Sequence, residues 1–349
     1  MAALLALLPL PAVSLSCGRR RAVAHAAAAA ATSFLASPTA PARAWCGERF
    51  PSWAYYVKWD ETAVPFSWQG YEGELLVRVV GDKLRERSTG VPPVLLVGDP
   101  GVAYDYLENL EALTVSDRRV IEVTFAGTRG AAPPAARSVG ACAAQLAAVC
   151  EHLSLQAVHL LAHGAAAPAA LRLLQPAELA TPLRSLTLVS PYGCLADLKA
   201  GSRPPADAKS LAALLRTTDP KAPGSCIADA IAATSAAPWL AMLSQEGAPS
   251  LRGEELLRLL QPAAAKKVAT LVVWGGEMDI VDPSWDVQAL QKANVNVRLY
   301  ERSGHLPFIE EREAFAAEYL DFLDAADGVK TSRELILDPS LKALRSSSL

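Results

Sequence analysis

The segment "AVHLLAHGAAAPAALRLLQ", Ala157–Gln175, decides how the rest of the chain is read. Its first half is an unbroken apolar run, as in a strand buried on both faces, and its second half carries alanine and leucine at helical spacing. Between them stands His163-Gly164-Ala165. The small residues Ala162, Gly164 and Ala166 allow a strand backbone and a helix backbone to approach closely, and glycine takes a left-handed turn at least steric cost. The segment therefore predicts strand, sharp turn, helix, with Gly164 at the turn.

Working outward, the same alternation recurs. Short apolar runs at Val94–Val97, Arg119–Phe125, Ala157–Ala162, Ser185–Ser190, Val268–Trp274 and Val295–Tyr300 are separated by helical stretches such as "AYDYLENLEALT", "SVGACAAQLAAVCEHL" and, after the last run, "EREAFAAEYLDFLDAAD". That pattern predicts an α/β fold, a mostly parallel sheet with helices on both faces. Before it, "AVPFSWQGYEGELLVRVVG" (Ala63–Gly81) reads as an antiparallel hairpin turning around Gly70–Gly73. One interval, Pro191–Lys267, exceeds the length of a regular crossover of about 30 residues and predicts a helical insertion over the sheet.

The expected organisation is a targeting segment over residues 1–44, an N-terminal extension and hairpin over 45–90, core halves at 91–190 and 268–327 around an insertion at 191–267, and a tail at 328–349. The first segment has Arg19, Arg20 and Arg21, an alanine-rich apolar run, and the small-x-small sequence Ala42-Arg43-Ala44, with no acidic residue. This resembles a bipartite signal for plastid import followed by twin-arginine transport, so the chloroplast, and within it the thylakoid lumen, is the expected location. The run is too short and too weakly apolar for a membrane span of about 20 residues, so no integral membrane protein is expected.

The net charge of −3 conceals an acidic body, because without residues 1–44 the basic residues number 29 against 36 acidic ones. An acidic body argues against nucleic acid as the partner. Among the six cysteines there is no C-x-x-C and no metal-ligand spacing with histidine, so neither metal nor cofactor is expected. Cys142 and Cys150 sit about 12 Å apart along one predicted helix and cannot bridge each other.

An open α/β sheet carries its functional groups on loops at the carboxyl ends of its strands. Four such loops stand out. "GDPG", Gly98–Gly101, can aim a backbone N–H into the crevice. The turn at Gly164 has the small residues of a nucleophile elbow without a nucleophile. "LVVWGGEMDIVDP" puts Asp279 after a strand with Asp282 nearby, and "VRLYERSGHLPFIEEREAF" puts His305 five residues after a strand, just before a helix. An acid followed by a histidine on such loops is the arrangement that orients and charges an imidazole.

These motifs together resemble the α/β-hydrolases, and within them the proline iminopeptidases, over about Val91–Asp327. "PPVLLVGDPG" is similar to that group's H-G-G-P-G segment, "AHGAAA" to its G-H-S-x-G-G elbow, "SLTLVSPYG" to the strand leading into its helical cap, and the Asp279 and His305 loops to its acid and histidine loops. The resemblance implies that Asp279 is the triad acid, His305 the triad base, Gly164 the nucleophile position, and Gly98, Asp99 and Ala165 the oxyanion-hole positions. Three departures go with it: Gly164 replaces the serine, Val97 and Asp99 replace the histidine and second glycine, and "TFAG" stands where relatives carry D-x-R-G. A charge at Asp99 would oppose a developing oxyanion.

The expected function is therefore a hydrolase homologue inactive as a serine hydrolase, acting through a small-molecule or peptide ligand or a protein partner. The alternatives are an active aminopeptidase or esterase with a displaced nucleophile (Ser190, Ser303 or Cys194), or general-base chemistry by Asp279 and His305. Trp239, in the insertion, is expected to pack in the cap or line its pocket.

Overall fold

The computed structural model describes residues 60–80, 90–98, 113, 118–126, 138–175, 179–191, 197–198, 201–202, 258, 260, 267–276, 279, 281–282, 290 and 295–329. Residues 1–44, expected as a targeting segment, almost all of 191–267, expected as an insertion, those beyond Val329, and Asp99, Cys194 and Trp239 lie outside these residues.

Strands β1 (Asp60–Trp68) and β2 (Tyr71–Val80) pair antiparallel, with Trp68 opposite Tyr71. The hairpin turns at Gln69-Gly70, so Gly73 lies inside β2 and the turn is tighter than the Gly70–Gly73 span expected from the glycines. Both turn residues have positive φ, 47° and 81°, as a two-residue turn matched to strand twist requires. The remaining strands are β3 (Val94–Val97), β4 (Val120–Thr124), β5 (Val158–His163), β6 (Leu183–Val189), β7 (Asp197–Leu198), β8 (Ala269–Gly275), β9 (Val281–Asp282) and β10 (Val295–Tyr300). Eight of them form one sheet in the order β1-β2-β4-β3-β5-β6-β8-β10. β2 meets β4 antiparallel, and from β4 onward every pairing is parallel. β7 and β9 form a separate antiparallel pair.

The strand order fixes where a site can form. The chain leaves β3 toward β4 on one side, returns to β5 on the other, and continues outward to β6. β3 and β5 are therefore the neighbours from which successive connections diverge, and the crevice opens beyond their carboxyl ends. Val97 pairs with Ala162, so Gly98 and the His163-Gly164 turn leave the sheet side by side.

Alternation along the strands divides the residues between two faces. Leu95, Val97, Ile121, Val123, Leu160, Ala162, Leu186, Leu188, Val272 and Trp274 are buried in one cluster with helix α1 (Val139–His152) and helix α2 (Ala167–Arg172). Ser138 caps α1 by accepting the Ala141 amide at 3.1 Å. Cys142 and Cys150 are buried free thiols on α1, and burial pushes the Cys150 thiol up to about 12. On the other face, the short helix α3 (Pro307–Glu310) leads into α4 (Arg312–Asp327), which lies against β6. Phe308, Phe315 and Tyr319 stack in sequence there, with ring centroids 5.9 and 5.6 Å apart. Among the described residues no helix is long and apolar enough to cross a membrane.

Candidate functional site

At the end of β5 the chain enters a single 3-10 turn, Gly164–Ala166, that runs directly into α2. Gly164 has φ of 55°, in the left-handed region that a β-carbon disfavours. Ala162, Gly164 and Ala166 are buried where strand and helix converge. Gly98 follows β3 immediately, and Ala165 is second in the 3-10 turn.

Asp279 and His305 come from loops that follow β8 and β10, two paired parallel strands. Their meeting depends on glycine. A β-carbon on Gly275 would lie 1.8 Å from the Gly304 carbonyl oxygen, and one on Gly276 would lie 2.2 Å from that of Glu301. The two loops are thus packed backbone against backbone, and the Gly276 amide donates to the Ser303 carbonyl at 2.7 Å. From there the chain turns back, with the Asp279 amide donating to Gly276 O at 3.1 Å.

The result is a direct acid–histidine pair. Asp279 Oδ1 accepts from His305 Nδ1 at 3.0 Å, and both side chains are fully buried. Because a carboxylate only accepts, the proton resides on Nδ1, which leaves Nε2 as the basic nitrogen. Asp279 Oδ2 accepts the Ser190 hydroxyl at 2.7 Å and the Gly275 amide at 3.2 Å. Both oxygens of this buried carboxylate are thus hydrogen-bonded, as burial of a polar group requires.

The histidine loop is held from two further directions. Glu311 Oε1 accepts from the Ser303 hydroxyl at 2.7 Å and the Arg302 amide at 3.1 Å, and Glu310 accepts from the Gly304 amide. From β5, His163 Nε2 donates to the His305 carbonyl at 3.0 Å. Its ring lies 4.7 Å from that of His305 and meets Phe308 edge-on at 5.1 Å. The residue before Gly164 therefore packs directly on the histidine loop, and this contact brings the three candidate loops together.

Sequence reasoning placed Gly98, Gly164, Ala165, Asp279 and His305 on the loops where they are found; Asp99 is outside the described residues, and so is the side chain of Asp282, which lies in β9. It missed the two glycines after Trp274, the clamp by Glu310 and Glu311, and the roles of His163 and Ser190. Both serines considered as displaced nucleophiles donate their single hydroxyl proton to a carboxylate, Ser190 to Asp279 and Ser303 to Glu311. Neither proton is offered to an imidazole, as activation by His305 requires.

A second polar cluster lies at the amino-terminal ends of the strands. Arg118, just before β4, donates to Asp327 Oδ2 at 2.7 Å and Asp324 Oδ1 at 2.9 Å, both on the last turn of α4. His159 Nε2 lies 3.2 Å from Asp327 Oδ2, and its Nδ1 lies 2.8 Å from the hydroxyl of Ser185 on β6. Burial lowers the His159 pKa below its ordinary value, against the opposing pull of Asp327. Burial also raises that of Asp327, but hydrogen bonds and charge from His159 and Arg118 outweigh it and bring the carboxyl below its usual range. His159, Leu161 and His163 share one face of β5, so two histidines four apart in an apolar strand were the signal for this arrangement.

A family model described as the alpha/beta hydrolase family matches residues 94–318. None of the curated proteins matches. Similar solved structures include a bromoperoxidase from Bacillus anthracis, 16% identical over 76% of this chain and 100% of that one, with a TM-score of 0.55. Others are naproxen esterase from Bacillus subtilis, 14% identical over 79% of this chain and 98% of that one at a TM-score of 0.54, and E-2-(acetamidomethylene)succinate hydrolase, 17% identical over 76% and 100% at 0.53.

Proposed function

Because this chain belongs to the α/β hydrolase family, we propose that it is a homologue of the proline iminopeptidase-like kind that is inactive as a serine hydrolase. It acts instead by binding a small-molecule or peptide ligand, or a protein partner, in the crevice beyond β3 and β5. One observation carries this: the left-handed turn residue after β5 is glycine, while the Asp279–His305 pair is intact at 3.0 Å. An imidazole oriented by a carboxylate has no hydroxyl at Gly164 to activate. Loss of the serine from a Ser-His-Asp triad removes on the order of 10⁶ in kcat. In this reading Gly98, Asp99 and Ala165 occupy the former oxyanion-hole positions, and residues 191–267 form the cap that selects the ligand.

The test is fluorophosphonate labelling and ester turnover by the full chain, beside Gly164→Ser and His305→Ala. The parent protein is expected to be silent and Gly164→Ser to label, since the hydroxyl would arise on a turn already in the left-handed region. Labelling of the parent that disappears in His305→Ala would instead establish an active hydrolase with a displaced nucleophile. The proposal extends to location, the plastid and its lumen, on the arginine cluster and Ala42-Arg43-Ala44. Amino-terminal sequencing of protein from its source should find a start near Trp45; an intact Met1 would refute it.

A further inference from the structure

We propose that Ser190 is a positioning residue whose hydroxyl fixes the rotation of the Asp279 carboxylate, and through it the orientation of His305. Ser190 immediately follows β6 and is fully buried. Its φ is 41°, a left-handed backbone at a residue that has a β-carbon. Such a conformation persists only where surrounding contacts over-determine it. Two do so: the Ser190 amide donates to Val273 O at 2.8 Å, extending the β6–β8 ladder by one bond, and the hydroxyl donates to Asp279 Oδ2 at 2.7 Å. The left-handed step ends the strand and turns the hydroxyl toward the carboxylate that follows β8.

The consequence is specific to one oxygen. Oδ2 holds the Ser190 hydroxyl and the Gly275 amide, so Oδ1 is the oxygen left toward His305 Nδ1. The Gly275 bond is the longer of the two, at 3.2 Å, and comes from the last residue of β8, the strand whose own loop carries Asp279. Ser190 reaches in from the end of β6 and therefore ties the carboxylate to a second, neighbouring strand. This role excludes Ser190 as a nucleophile, because its proton is held by Asp279. It goes beyond the proposed binding function and does not depend on whether the crevice binds or turns over anything.

The experiment uses the full chain with ring-¹⁵N histidine, whose five histidines give a small set of signals. The Nδ1 proton of His305 is assigned by its loss in His305→Gln. Its exchange with water is then compared in the parent, Ser190→Ala and Ser190→Gly. Both variants lack the hydroxyl, but glycine relieves the left-handed backbone and alanine does not, so Ser190→Gly is the variant that folds if Ser190→Ala fails. Exchange is expected to accelerate about tenfold in both, the loss of one hydrogen bond's worth of positioning, although Ser190→Gly melts above Ser190→Ala. A serine that merely ends the strand predicts the same difference in melting with no change at His305. Exchange in folded Ser190→Gly within about twofold of the parent would overturn the proposal.

Discussion

The two ends of the sheet each hold a buried histidine against a carboxylate, and they are built on opposite principles. At the carboxyl end, Asp279 takes a serine hydroxyl and a backbone amide on one oxygen and His305 on the other. At the amino end, Asp327 shares Arg118 with Asp324, so its charge is already compensated when it meets His159. Ser185, His159 and Asp327 even form a hydrogen-bonded chain of the three residue types of a catalytic triad. They form it at the amino-terminal end of the strands, with Ser185 fully buried and a guanidinium beside the histidine. Three residue types in contact do not make a site. A site also needs a place for a ligand, and an open α/β sheet binds ligands beyond the carboxyl ends of its strands. The amino-end cluster serves to anchor α4, whose last turn carries two acids that the helix dipole disfavours and Arg118 offsets.

The comparison would break most visibly in a protein given a hydroxyl at position 164. In a Gly164→Ser background, Asp279→Asn should slow fluorophosphonate labelling by about 10⁴-fold, whereas Asp327→Asn should leave it within about twofold. Equal losses would mean that the two carboxylates are not functionally distinct. Next in size is Arg118→Met, which strands two carboxylates without their cation and should cost about 3–5 kcal/mol in urea unfolding; a cost under about 1 kcal/mol would remove the anchoring role.

Gly275→Ala sharpens the contrast from the other end. It drives a β-carbon into the Gly304 carbonyl and should cost about 2–3 kcal/mol. Unlike Arg118→Met, it should also abolish the His305 Nδ1 signal, because it separates the two loops that make the pair. The smallest effect is in pH. A histidine whose folded pKa is depressed favours folding above its ordinary value of 6.5, and that contribution is lost as pH falls below it. Asp327, also depressed, acts in the same direction at lower pH, below the usual carboxylate range. Urea midpoints should therefore decline between pH 7 and about 5, and His159→Gln should flatten that decline. An unchanged slope would show that His159 does not titrate with folding.

Much of the fold was legible because a buried parallel strand must be apolar throughout. The run at Val94–Val97 coincides with β3, that at Val295–Tyr300 with β10, a half-exposed edge strand that alternates instead, and the others are off by one or two residues. Boundaries shifted where the ladder ran past the apolar run, as at His163, which is polar yet still in β5. Asp279 and His305 were legible because each lies a short, fixed distance after a strand. Glu310 and Glu311 were not, since they sit among the charges of an amphipathic helix and nothing in their spacing marks them as ligands for loop amides.

The sequence by itself determined the class of sheet, the order of the candidate loops and the absence of a hydroxyl at Gly164, because periodicity and residue identity are local properties. The tertiary structure decided which groups meet. Only the parallel pairing of β8 with β10 puts the Asp279 loop on the His305 loop, and only the close backbone approach at Gly275 and Gly276 lets them touch. Only the left-handed end of β6 delivers the Ser190 hydroxyl to the acid. Hydrogen bonds between residues 26 and 89 positions apart depend on which strands become neighbours, and no local pattern carries that information.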